Sequence, residues 1–221
     1  MGIGNILALS QVTGYVLNII LFFIIIWPMS KNLRGFNGMC ILFSTGTYDY
    51  HLPGHPFEVT SWAPGISCAF VILLSFVSLF ISIWQTVRIS IHLVRNTDSS
   101  FIGVFVTCVT NFVVWILFLA TAPAVTAGFK IWCGSIEADT SMTCAKAGIA
   151  ATWKDTSLHP QGFYIQIATV EFGMYASFLT WLLENIFSGY KLLVYHRQEH
   201  IFRSLSRERQ RLLGDYDPDF Y

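Results

Sequence analysis

Four apolar runs, at 3–27, 66–87, 101–129 and 162–190, take up most of the 221 residues and constrain this chain more than any other feature. A helix of roughly 20 apolar residues crosses the hydrocarbon of a bilayer, and each run reaches that length. Composition agrees: 54% of residues are hydrophobic and 12% charged, with mean hydropathy +0.56, against about a quarter charged in soluble domains. The expected fold is an all-α membrane protein: a four-helix transmembrane bundle over 1–195, with a small disulfide-stapled outer cap that includes a short β-strand. Its spans are placed at 3–27, 66–94, 101–129 and 162–194, its outer loops at 30–65 and 130–161, and a tail at 196–221. The first run reads as an uncleaved helix, because no charge precedes Lys31 and the apolar stretch exceeds a signal peptide's roughly 7–15 residues.

The cations orient the bundle. Arg88, His92 and Arg95 lie before the short link between spans two and three, and Lys191, Arg197, Arg203, Arg207, Arg209 and Arg211 follow span four. These segments hold eight of the thirteen Lys and Arg residues, which places both termini and that link in the cytosol. Cysteine placement fits: Cys40, Cys68, Cys133 and Cys144 all fall at the outer side, where disulfides persist. Three pairings are open to four cysteines; Cys40–Cys68 and Cys133–Cys144 are favoured because each stays within one loop. Cys108, inside span three, reads as a packing residue. No Asn-x-Ser/Thr sequon occurs. Trp27, Trp62, Trp132 and Trp153 are expected in an aromatic belt at the outer boundary. Ala120, Ala122, Ala124, Ala127 and Gly128 are expected to admit a close helix neighbour, with a kink at Pro123.

A family resemblance rests on Arg34-Gly-Phe-Asn-Gly-Met-Cys40-Ile-Leu-Phe-Ser-Thr-Gly after span one, and on Trp62-Ala-Pro-Gly with Cys68. It continues through Trp132-Cys133 with Cys144, Phe163-Tyr164, Glu171-Phe-Gly, Tyr195-His-Arg-Gln-Glu and the Glu-Arg-Gln-Arg-Leu-Leu ending. In these segments, which span nearly the whole chain, the protein resembles the transmembrane protein 179 family. The resemblance implies four spans, cytosolic termini and four outward cysteines, and little about activity. The alanine-rich stretch 145–152 departs from that family's acidic character.

Catalytic signatures are weak. Asp49, His51, His55 and Glu58 form the densest group of metal-type ligands, but Pro53, Gly54 and Pro56 exclude the helix that would set both histidines on one face, so no metal or other cofactor is expected. No phosphate loop, Cys-x-x-Cys or Gly-x-Ser-x-Gly occurs, and the chain is expected not to be an enzyme or to bind nucleic acid. Intramembrane polar residues carry more information, since a charge there needs a partner, a cavity or a path. Glu171 and Glu184 in span four lie thirteen positions apart and on different faces. Asn18 and Asn111 are candidates for hydrogen bonds between helices. Glu184 is expected to form an ion pair with Arg88, which continues with Gln85, His92 and Arg95 along one face of span two; Arg88, His92 and Arg95 together suit an anionic lipid head group.

In the tail, an amphipathic helix is followed by an acidic end, and Glu208 with Leu212 and Leu213 fits the acidic dileucine pattern read by clathrin adaptors. Loop one alternates over 39–50 and reads as a strand with a turn at Pro53-Gly54. The stapled cap is similar in plan to claudin-type and receptor-auxiliary tetraspans, although the claudin Gly-Leu-Trp with paired cysteines is absent from loop one. The leading expectation is an accessory subunit or trafficking partner of a larger membrane protein such as an ion channel or receptor, in the plasma membrane or an endomembrane. The alternative is an oligomeric channel or transporter built around Glu171 and Glu184.

Overall fold

The computed structural model describes residues 3–49, 51, 56–95, 101–138, 143–150, 152–155, 158 and 161–214. Its elements are α1 (Ile3–Gly35), β1 (Thr45–Tyr48), β2 (Phe57–Ser61), α2 (Ile66–Arg95), α3 (Phe101–Glu137), α4 (Cys144–Ala150) and α5 (Phe163–Gly214). The four long helices form one bundle, in which α1 packs along both α2 and α5, and α5 along α3; α2 and α3 meet far less. Large apolar side chains stay on the outside, as in Phe76, Phe80 and Trp84 of α2, which is the surface a lipid-facing bundle presents. By length and composition α1, α2 and α3 qualify as membrane spans among the described residues.

Close packing of α1 on α5 uses one glycine from each helix. A Cβ at Gly14 would collide with the Glu184 carboxylate, and one at Gly173 would stand 2.6 Å from Ile25 Cγ1. The expected small-residue stripe of α3 works differently. Ala122 and Gly128 are buried, whereas Ala120, Ala124 and Ala127 face outward. What approaches Gly128 is the loop after α1, whose Phe43 ring covers it and whose Phe43 N–H donates to the Gly128 carbonyl at 3.1 Å. Helix α3 runs on through Pro123, as α1 does through Pro28.

The cap begins where α1 stops. Asn37 and Gly38 take positive φ of 52° and 83°, and Gly38 N–H donates back to the Leu33 carbonyl at 2.7 Å, the left-handed ending that turns a helix sharply. The chain then forms β1, which pairs antiparallel with β2 in the register Thr47 to Glu58 and Tyr48 to Phe57. Thr152–Lys154 adds a parallel flank to β2: Phe57 N–H donates to the Thr152 carbonyl at 2.8 Å and Lys154 N–H to the Phe57 carbonyl at 3.1 Å. Disulfides Cys40–Cys68 and Cys133–Cys144 tie the cap to the tops of α2 and α3. Cys108 is a half-buried free thiol.

The tryptophans correct the expected belt. Trp27 is 77% exposed, but Trp132 is fully buried, and Trp62 and Trp153 pack against the core. Phe36 sits at the centre, edge-on to Trp62, Trp132, Trp153 and Phe163 with centroids 5.9–6.2 Å away, while Trp132 and Trp153 stack on each other. Edge-to-face contacts at these distances suit ring quadrupoles. Trp62, Trp132 and Trp153, expected at the membrane boundary, serve as the cap's interior, together with Ile41, Leu42 and Ile136.

Candidate functional site: a buried polar layer in the bundle

Buried polar side chains of the helices face one another over several turns, from mid-bundle toward the end remote from the cap. On α1, Gln11, Tyr15 and Asn18 recur at helical spacing; on α2, Ser78, Ser82 and Gln85; on α3, Asn111; on α5, Ser177, Glu184 and Ser188. All are buried, Glu184 at 1% exposure. Cross-helix bonds lock the register. Asn111 Nδ2 donates to the Tyr15 hydroxyl at 2.8 Å and to Ser188 Oγ at 2.9 Å, and Tyr15 donates to Asn111 Oδ1 at 3.1 Å. Gln11 Nε2 donates to Ser188 Oγ at 3.2 Å, and Asn185 Nδ2 to the Asn111 carbonyl at 3.1 Å. Trp181 Nε1 donates to Ser78 Oγ at 3.1 Å, crossing the bundle diagonal from α5 to α2. Asn111 thus joins α1, α3 and α5.

The expected ion pair between Glu184 and Arg88 is not formed. Arg88 turns to α3, where Nη2 donates to the Gly103 carbonyl at 3.0 Å and to Thr107 Oγ1 at 2.6 Å. Glu184 instead folds over Gly14, where the missing side chain leaves room for it. Position along the helices set both partners within range, and direction around them separated the two. A guanidinium that can satisfy polar groups of the adjacent helix does so before reaching into the core. His92 is half-buried and Arg95 exposed, one and two turns beyond Arg88.

Glu171 is held apart from this layer. Thr126 Oγ1 of α3 donates to its carboxylate, with Tyr175 OH 3.2 Å from the same hydroxyl. Asn18 is buried without a hydrogen-bond partner for either amide atom. Between the polar layer and the cap the interior holds large apolar side chains, among them Ile25, Phe118, Met174, Val170 and Ile167, with Asn32, Ser75, Thr121 and Gln166 buried on the same side of the layer. Glu208, Leu212 and Leu213 lie on the helical part of α5, with their side chains outside the described part, and 215–221 lies outside it altogether.

The polar loop is occupied by its own chain. Lys154 Nζ lies 3.2 Å from Asp49 Oδ2 and 2.7 Å from Glu58 Oε2, clasping β1 and β2 to the segment before α5. His51 N–H donates to Asp49 Oδ1 at 3.0 Å. That bond, followed by the one from Lys154, holds the Asp49 carboxyl below its ordinary value, and Glu58 and then Asp49 raise the Lys154 ammonium above its own. His55 lies outside the described residues.

A bundle of long apolar helices, an inward polar layer and a disulfide-stapled β-cap define a claudin-like membrane protein. The chain matches the family described as Transmembrane protein 179/179B Claudin domain over residues 7–213, and it belongs to that family. No solved structure matches it.

Proposed function

We propose that this chain is a non-enzymatic four-span protein, with both termini in the cytosol, that acts as accessory subunit or trafficking partner of a larger membrane protein such as a channel or receptor. The observation that carries this reading is the division of its surface. Polar side chains of the bundle are turned inward, and the outer faces are apolar along their length, as on α5 at Ile165, Phe172, Leu179, Leu183 and Ile186. Such a surface offers helix-to-helix contact within the bilayer. Helix α5 counts as the fourth span because its hydropathy is lowered by Gln166, Ser177, Glu184 and Ser188, all of them buried. The oligomeric channel finds less support, since Glu171 bonds to Thr126 of α3 and large side chains such as Phe118 and Met174 fill the interior between the polar layer and the cap. In this reading the basic face at Arg88, His92 and Arg95 meets anionic lipid, and Glu208 with Leu212 and Leu213 meets a clathrin adaptor.

Purification of the tagged protein in mild detergent tests the proposal. A larger membrane protein recovered at a fixed ratio is the expected result. A homo-oligomer that conducts ions in liposomes, with the flux lost in Glu171→Gln, would replace this reading by the channel.

A further inference from the structure

Near the cap, the seam between α1 and α5 carries an open groove of about 590 Å³ on the outer face of the bundle. One wall is α1, where Ile20, Phe23, Trp27 and Lys31 recur at three- and four-residue steps, all of them exposed. The other is the start of α5, with Ile165, Gln166 and Thr169. Behind the groove the helices are sealed at Gly173, where a Cβ would stand 2.6 Å from Ile25 Cγ1, so it opens to the bilayer and not into the core. From Ile20 to Lys31 it runs about 16 Å, close to half of the roughly 30 Å of bilayer hydrocarbon. Its polar groups gather at the cap end. Gln166 Nε2 donates to the Gln161 carbonyl at 3.2 Å and Thr169 Oγ1 to the Ile165 carbonyl at 2.7 Å, so nearby backbone takes up both side chains. Lys31 differs: it is exposed over the groove and has no ion pair among the described residues, where both ion pairs belong to Lys154. Arg34, three positions on, is a second exposed cation without an ion pair there. The first acidic residue of α5, Glu171, is turned to Thr126 of α3.

We infer that this groove binds one anionic phospholipid of the leaflet on the cap side, with an acyl chain along Ile20, Phe23 and Trp27 and the phosphate on Lys31. The Lys31 ammonium offers a phosphate three donors on a flexible stem. Arg34 beside it adds a second positive charge, which suits a head group of net negative charge over a zwitterionic one. Length selects against a transmembrane helix of a partner or of a second copy, since such a helix crosses both leaflets and the groove is one leaflet long. A sterol would fill the apolar part but brings a single neutral hydroxyl, leaving both cations unmet. The site lies at the end of the bundle opposite Arg88, His92 and Arg95, and is a separate lipid contact from that basic face. It goes beyond the accessory role and does not depend on it.

The test is photolabelling of the full chain in phosphatidylcholine nanodiscs, using phosphatidylglycerol with a photoactivatable group on its acyl chain, followed by mapping of the labelled peptides. The expected result is saturable labelling within 20–31 and 165–169, displaced by unlabelled phosphatidylglycerol and not by cholesterol. The matching phosphatidylcholine probe should label these segments no more than the other exposed helix faces. Lys31→Gln, at an exposed position, should raise the half-saturating mole fraction of phosphatidylglycerol roughly fivefold, from the loss of one cation at a membrane surface. Lys130→Gln removes an exposed cation at the cap end of α3, outside the groove, and should leave that value unchanged. Even labelling of all exposed helix faces by the phosphatidylglycerol probe would overturn the inference. So would a groove left unlabelled because a second copy covers it, or displacement by cholesterol. An unchanged value in Lys31→Gln, or an equal rise in Lys130→Gln, would overturn it as well. These readouts use no partner protein, and so stand apart from the test of the accessory role.

Discussion

Gly14 shows how one missing side chain sets a charge's address. The carboxylate of Glu184 occupies the volume a Cβ would need, so Gly14→Ala must displace it or push α1 from α5. Overpacking of this kind costs about 1–3 kcal/mol, and thermal unfolding in detergent should show it. Gly189, one turn further along α5 and with nothing within 4 Å of a built Cβ, is the control. There the change to Ala should be neutral or stabilising by up to about 1 kcal/mol, from helix propensity alone. Asn111 carries a comparable load. In Asn111→Ala, Tyr15 and Ser188 lose the bonds that connect three helices, with an expected loss of about 1–3 kcal/mol from buried groups left unpaired. A variant as stable as the natural chain would remove Asn111 from its place as the joint. In the sequence Asn111 stood out as a lone amide in an apolar run, whereas Gly14 carried no signal, because only the neighbouring helix makes its size matter.

Among the elements, the cap adds covalent and ionic ties to its buried aromatic core. Cys40–Cys68 closes 28 residues and thereby constrains the loop that becomes β1 and β2. Opening a loop of that length costs about 3.6 kcal/mol by the chain-entropy argument. Cys40→Ser with Cys68→Ser should therefore lower the unfolding temperature, and protease should cut within 41–67 far faster; unchanged cleavage would show that the aromatic core holds the cap without it. The Lys154 clasp has a defined pH window. Asp49 titrates below its unfolded value, so its contribution is present above that value and fades as pH falls through the depressed one. Lys154 titrates above its unfolded value, so its contribution is full below that value and is lost as pH rises through the elevated one. Between these limits the clasp is intact. In Lys154→Met the Asp49 carboxyl should titrate closer to an ordinary aspartate, observable by NMR; the bond from His51 N–H keeps it from returning fully.

For the whole molecule, the proposed fourth span makes a topological prediction. Tags on the N- and C-termini should both be protected from an impermeant reagent in intact cells and exposed on permeabilisation, while Lys146 in the cap should be labelled from outside. Opposite accessibility of the two tags would leave three spans, with α5 lying along the membrane surface. Helix α5 falls short of the apolar standard met by α1, α2 and α3 because hydropathy averages a helix around its axis. Gln166, Ser177, Glu184 and Ser188 are turned to the core and Glu171 bonds to Thr126 of α3, so the outer face is more apolar than the average.

By itself the sequence determined the class of this protein, its four long helices and the pairs of cysteines available to each loop, because length, hydropathy and cysteine position act locally along a chain. Of the strand expected over 39–50 from its alternation, the structure forms only Thr45–Tyr48. Only the tertiary structure decided where directions around an axis mattered: Arg88 to α3 instead of Glu184, Trp132 and Trp153 into the cap instead of the membrane boundary, and the close helix contact at Gly14 and Gly173 instead of the alanines of α3. A position in the sequence sets depth in a bundle, at about 1.5 Å per residue. Which neighbour a side chain meets at that depth is set by how four helices rotate against one another to exclude space, and no single helix contains that information.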